Sequence, residues 1–143
     1  MGESIKLEFE VDGDNFESAG AASEEVKRSL KQLGIEPGTI RRVAIAMYEG
    51  EINMVIHAHG GKAVVDIFNN HIEIKLQDFG PGIEDVDKAM QEGFSTATET
   101  IRNLGFGAGM GLPNMKKYSD NMKIETEVGK GTTVHLLINF ELK

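Results

Sequence analysis

Asp-Phe-Gly-Pro-Gly-Ile at 78–83 and Gly-Phe-Gly-Ala-Gly-Met-Gly-Leu at 105–112 bracket the most informative segment of this chain. Gly105, Gly107, Gly109 and Gly111 recur at alternate positions. That pattern fits neither a regular strand nor a regular helix, because each glycine loses more backbone entropy on ordering than alanine would. It suits a loop whose N–H groups must approach something closely. Pro113 then falls in the first turn of an expected helix, where its missing donor is harmless. A glycine-rich loop feeding a helix N-terminus offers converging amides and the positive end of the helix dipole, which together cradle an anion. The segment reads as a loop that holds the phosphates of a nucleotide.

On the N-terminal side, Ser4–Val11 alternates Ile5, Leu7, Phe9 and Val11 with Lys6, Glu8 and Glu10, the period of a half-buried strand. Phe16–Leu33 reads as a helix with Gly20 as a blemish and Gly34 as its stop. Thr39 is the expected N-cap of a long helix reaching about His59, with Ile40, Val43, Ala44, Met47, Ile52, Val55 and Ile56 on its apolar stripe and Gly60-Gly61 ending it. Strands Lys62–Asn69 and His71–Asp78 follow, joined tightly at Asn69-Asn70. Residues 84–103 carry Gly93 and the polar run Ser95–Thr100, which predicts a short helix and then a mobile lid. Beyond the glycine loop come a helix at Pro113–Ser119 and strands Met122–Val128 and Thr132–Leu142. The order predicts an α+β two-layer sandwich in one domain, residues 1–143, with helices on one face of a mixed, mostly antiparallel sheet.

The totals narrow the function classes. A chain of 143 residues, 40% hydrophobic, can bury a real core. No apolar run reaches the roughly 18 residues of a membrane span, and no basic-then-apolar leader opens the chain. Zero cysteines exclude disulfides and thiolate metal sites and suit a cytoplasmic protein. A net charge of −8 argues against nucleic-acid binding, which needs a basic footprint. It leaves nucleotide binding open, because local amides and a metal outweigh the global field.

Within the long helix, Glu49, Asn53 and His57 stand at i, i+4 and i+8 and form one polar stripe. An asparagine oxygen is a hard ligand for Mg²⁺, and a carboxylate one turn away can accept a proton from a hydroxyl or water. Taken alone, Glu-x-x-x-Asn is common, and the same stripe is far more often a solvated helix face. Asp78 ends a strand before a Gly-Pro-Gly turn. It can select a base with an exocyclic amine or simply initiate the turn. Gly129-Lys130-Gly131-Thr132-Thr133 alone reads as a hairpin turn. The phosphate-loop pattern Gly-x-x-x-x-Gly-Lys-Ser/Thr is absent, and the 105–111 run is not Gly-x-Gly-x-x-Gly after a strand. His57 and His59, at i and i+2, point to different sides of a helix and make a poor metal pair.

Taken together, Glu49-x-x-x-Asn53, Asp78-x-Gly80-x-Gly82, the Gly105–Gly111 loop and Gly131-Thr132 resemble, in order and rough spacing, the GHKL (Bergerat-fold) ATP-binding domain over nearly the whole chain. Gly93-Phe94-Ser95-Thr96 and the Gly-x-Gly-Leu-Pro at 109–113 are most similar to bacterial anti-sigma factors and switch-type serine/threonine protein kinases. The resemblance implies ATP and Mg²⁺ as cofactors, Glu49 as general base and Asn53 as the Mg²⁺ ligand. It implies that Asp78 hydrogen-bonds the adenine amine, that Gly80, Gly82 and Ile83 shape that pocket, and that Thr132 assists there. Residues 84–104 would form the ATP lid, and Gly105, Gly107, Gly109, Met110, Gly111 and Leu112 would wrap the phosphates.

The implied substrate is a serine or threonine on a small antagonist protein, with a sigma factor as a further partner. The implied homodimer forms through the N-terminal region, where the Ile5/Leu7/Phe9 strand is the expected contact. Three features depart from the pattern, one being Glu51, another carboxylate near the base that lies off the 49–53–57 stripe. Gly50 follows the base directly and weakens a helix by about 1 kcal/mol relative to alanine. No lysine or arginine lies in the glycine loop, Arg102 and Lys116 being nearest, so transition-state stabilisation leans on Mg²⁺ and backbone amides. The alternative reading is a nucleotide-gated binding module, in which ATP orders 84–104 for a partner to read. A histidine-kinase ATPase domain ranks lowest, since His57 lies inside the proposed active-site helix and is a poor phosphoacceptor.

Overall fold

The computed structural model describes residues 4–12, 20–58, 60–80 and 111–140. In chain order these form β1 (Ile5–Asp12), α1 (Ala21–Gln32), α2 (Pro37–Ala58), β2 (Gly60–Ile67), β3 (His71–Asp78), α3 (Gly111–Lys117), β4 (Asn121–Glu127) and β5 (Gly131–Asn139). The strands make one sheet in the order β1-β2-β3-β5-β4, and every pairing is antiparallel.

Strand alternation decides which face is covered. Ala63, Val65 and Ile67 on β2, Ile72, Ile74 and Leu76 on β3, and Val134, Leu136 and Ile138 on β5 all point to one side and are buried. Their neighbours on the other side include Lys62, Glu73 and Lys75, which stay exposed. A one-residue slip would exchange the two sets, so the register is fixed by burial. The polar contacts on the open face, the Lys62–Glu8 ion pair at 3.6 Å and the His135–Glu125 hydrogen bond at 2.7 Å, add little stability there. The helices lie on the apolar side. Val26 and Leu30 of α1, Ile40, Val43, Met47 and Val55 of α2, and Met115 of α3 join the strands in one core. The expected α+β two-layer sandwich is the observed fold.

Element boundaries differ where a residue outside the expected helix start supplies the cap. Gly20 is no helix-interior blemish; it is the N-cap residue of α1 in a left-handed conformation, φ 98°. Thr39 does not open α2, which starts at Pro37, and the Glu36 carboxylate accepts the N–H groups of Gly38 (2.8 Å) and Thr39 (3.0 Å). Pro37 at a first helical position gives up no hydrogen bond. The Gly60-Gly61 pair begins β2 as well as following α2. The expected lid, residues 84–104, lies outside the described residues, as does Phe16.

Candidate functional site

The middle of α2 supplies two of the residues singled out by spacing. Glu49 is half-buried, and its Oε1 lies 3.5 Å from the Asn114 Nδ2 donor on α3. Desolvation raises its pKa above the ordinary 4.5, and the Asn114 hydrogen bond partly offsets that rise. A carboxylate held this way is a better proton acceptor than one in water, as a general base requires. One turn on, Asn53 is half-buried and its Nδ2 faces the Met115 Sδ at 4.0 Å. Its carbonyl oxygen has no protein partner among the described residues and remains open to a hard cation.

Gly50, between them, explains itself by space. A Cβ there would lie 2.1 Å from Leu76 Cδ1 and 3.1 Å from Met115 Cε. The glycine that departs from helix propensity lets α2 settle onto β3 and α3.

Asp78 ends β3 with one oxygen engaged. Its Oδ1 accepts the N–H groups of Gly80 and Thr132, each at 3.0 Å. Oδ2 carries no hydrogen bond among the described residues, so the group offers a fixed acceptor to a donor outside. Thr132 is buried, and its hydroxyl lies 2.9 Å from that of Thr126, whose Oγ1 donates to the Gly131 carbonyl at 3.2 Å. The structure therefore joins Asp78, Gly80 and Thr132 in one hydrogen-bonded corner, although Asp78 and Thr132 are 54 residues apart in sequence. This pairing is incompatible with Asp78 serving only as a local turn initiator.

Of the remaining sequence candidates, Gly111 opens α3 and Leu112 packs half-buried against the core. Lys116 is exposed on α3. Gly82, Ile83, Gly105, Gly107, Gly109, Met110 and Arg102 lie outside the described residues.

Glu51 is a functional group that spacing did not single out. It is 2% exposed, and its carboxylate accepts the N–H groups of Gly20 (2.8 Å), Ala22 (3.4 Å) and Ser23 (2.6 Å). The signal was present: Met47, Glu51 and Val55 stand at i, i+4 and i+8, so a carboxylate sits in the apolar stripe and must meet donors there. Its donors are the free amides at the start of α1, where the helix dipole also favours negative charge.

The donor set suits a magnesium nucleotide. Asp78 offers a carboxylate oxygen to an amine, Asn53 offers a hard oxygen, and α3 begins where the glycine loop ends. Among the described residues no group of three or more His, Asp or Glu side chains is placed to hold a metal alone. A single protein oxygen completed by phosphate and water oxygens is the usual arrangement for Mg²⁺.

Known proteins share this pattern. Residues 38–142 match the family model described as histidine kinase-, DNA gyrase B-, and HSP90-like ATPase. The chain is 38% identical over 102 residues to the anti-sigma F factor of Caldanaerobacter subterraneus subsp. tengcongensis, covering 68% of each chain. It is 30% identical over 123 residues to the serine/threonine-protein kinase RsbT of Bacillus subtilis, covering 82% of this chain and 85% of that one. Among solved structures, one with the RsbU and RsbW domains of a Mycobacterium tuberculosis protein superposes with a TM-score of 0.62 at 15% identity. That match covers 97% of this chain, which spans 33% of the larger one. The mycobacterial sensor histidine kinase MprB gives a TM-score of 0.55 at 16% identity over 97% of this chain and 100% of that one. These two likenesses speak for the fold alone. The chain belongs to the histidine kinase-, DNA gyrase B- and HSP90-like (GHKL) ATPase family, in its anti-sigma factor and switch-type kinase branch.

Proposed function

We propose that this chain is an ATP-dependent protein serine/threonine kinase of the switch type, one unit over residues 1–143, working in the cytoplasm within a partner-switching circuit. Its substrate is a serine or threonine hydroxyl on a small antagonist protein, and a sigma factor is its second partner. The observation that carries the reading is Glu49, a half-buried carboxylate of raised pKa one helical turn from Asn53. The Asp78 Oδ2 accepts the exocyclic amine of adenine, with Thr132 holding the other oxygen in place. Asn53 Oδ1 would hold Mg²⁺, which would supply positive charge to offset that of the phosphates. The acceptor hydroxyl oxygen forms a bond to the γ-phosphorus while the bond to the β,γ-bridging oxygen breaks and ADP leaves with the electron pair. Glu49 takes the hydroxyl proton.

Incubation with labelled Mg-ATP and candidate antagonist proteins is expected to label a Ser or Thr, and Glu49→Gln to abolish labelling while ADP still binds. Full labelling by Glu49→Gln would sink the catalytic role. One observation favours a second reading: residues 105–111 contain no Lys or Arg to meet phosphate charge. A nucleotide-gated anti-sigma module would need Asp78 but not Glu49, and its partner binding would survive Glu49→Ala. The outer edge of β1, where Ile5 is 47% exposed, is the surface by which we expect two copies to pair.

A further inference from the structure

We propose that Gly61, which belongs to none of the nucleotide-binding motifs, is a positioning residue for adenine selection, because it lets β2 and α2 close upon the strand end that carries Asp78. The inference rests on the reading of Asp78 as the adenine partner.

Gly61 is the cross-strand partner of Asp78. A Cβ at Gly61 would lie 2.2 Å from the Gln77 carbonyl oxygen, 2.6 Å from Met54 Cε and 3.0 Å from Asp78 Cα. The described glycines with positive φ are Gly20, Gly34, Gly60, Gly129 and Gly131, so the backbone at Gly61 would accept alanine and only space forbids it. Met54 could swing its terminal methyl aside. The Gln77 carbonyl and Asp78 Cα are main chain and cannot yield without moving the end of β3.

On the opposite edge of Asp78 stands Gly131, φ 130°, whose Cβ would lie 2.2 Å from the Asp78 carbonyl oxygen and 2.9 Å from Phe79 Cα. Asp78 thus sits in a slot walled by two glycines, one from β2 and one from β5. The slot also sets a spacing. Met54, which reaches Gly61, follows Asn53 directly on α2. A side chain at Gly61 would therefore push the residue that reads the base away from the helix that holds the metal. The Asp78 carboxylate is held by two hydrogen bonds of 3.0 Å. A displacement near 1 Å would break them, and misplacement on that scale commonly costs about a hundredfold in a positioned interaction.

The test is calorimetric binding of Mg-ADP and of the magnesium complexes of GDP and purine riboside diphosphate, which lacks the 6-amino donor. The ratio of affinities reads base selection, whereas affinity alone also falls with any loss of structure. Asp78→Asn sets the scale and should bring the ratios close to one. Gly61→Ala is expected to bind ADP at least tenfold more weakly and to lose most of its preference for adenine. Val65→Ala, a core truncation on the same strand, should lower the thermal midpoint and keep the preference. A folded Gly61→Ala with the wild-type preference overturns the inference even where Asp78→Asn behaves as expected. If Asp78→Asn also leaves the ratios unchanged, the adenine reading falls and the inference with it. Should Gly61→Ala not fold, Met54→Ala decides: it removes the α2 side chain packed at the slot and should reduce the preference at least threefold, while an unchanged preference overturns the inference.

Discussion

Glu49 and Glu51 stand two residues apart on α2, and the same carboxyl group meets opposite settings. Around Glu49 water is withdrawn and, among the described residues, one side-chain amide lies within reach, so ionisation is disfavoured. Its folded pKa lies above the unfolded one. Its contribution to stability is therefore complete below the unfolded value and lost as pH rises through the folded value. Glu49→Gln should raise the thermal midpoint at pH 7, and the gain should vanish as pH falls below about 4.5. The same substitution should lower turnover by about 10²–10⁴, the usual contribution of a general base, and stopped assays with labelled ATP read this directly. The wild-type pH–rate profile should show its acidic limb above 4.5, and Asn114→Ala should move that limb upward because a hydrogen bond that favours the anion is gone. Glu51, by contrast, is enclosed by three backbone donors at the start of α1. Glu51→Ala leaves those donors buried without an acceptor and should destabilise the protein by about 3 kcal/mol in a denaturant titration.

At the scale of elements, α2 shows where propensity and packing disagree. Gly50 in a solvent-exposed helix would invite replacement by alanine, worth about 1 kcal/mol. Here the new methyl would strike Leu76, which is 2% exposed and cannot withdraw freely. Overpacking of this kind costs about 1–3 kcal/mol. Gly50→Ala should therefore lower the denaturation midpoint, the reverse of the propensity rule; a higher midpoint would show that α2 does not pack on β3 as described. The same contrast marks what the sequence made legible. β3 and β5 were readable because one face of each strand is buried, and β1 because Leu7, Phe9 and Val11 are partly or fully covered on one face, a fact that the period of two carries locally. Spacing and motif order singled out Glu49, Asn53, Asp78 and Thr132 as candidates, and of these the structure joins Asp78 and Thr132 by a hydrogen bond. The start of α1 was not, because its cap comes from Glu51, 31 residues along the chain from Gly20. Gly61 read as a helix stop, since its meaning lies in cross-strand register with Asp78, which no local pattern reports.

For the whole molecule, three of the residues assigned to the nucleotide stand on separate elements: Asn53 on α2, Asp78 on β3 and Thr132 on β5. These elements share one core, and Asp78 and Thr132 are already tied by a hydrogen bond. A ligand gripping all three binds only when they are assembled, so it stabilises the native chain and not the unfolded one. At a Mg-ADP concentration one hundred times its Kd the gain is about 2.7 kcal/mol. For a domain of this size that corresponds to a rise of about 10 °C in thermal midpoint. Asp78→Asn at the same ADP concentration, with affinity reduced a hundredfold, should retain about 0.4 kcal/mol and a rise of only 1–2 °C, roughly. Glu49→Gln should keep nearly the full rise, because in the proposed mechanism Glu49 acts on the acceptor hydroxyl and not on the nucleotide. Differential scanning fluorimetry of the three proteins side by side reads all three expectations. A large shift in Asp78→Asn would detach adenine recognition from β3. A lost shift in Glu49→Gln would move Glu49 from the acceptor's side of the site to the nucleotide's.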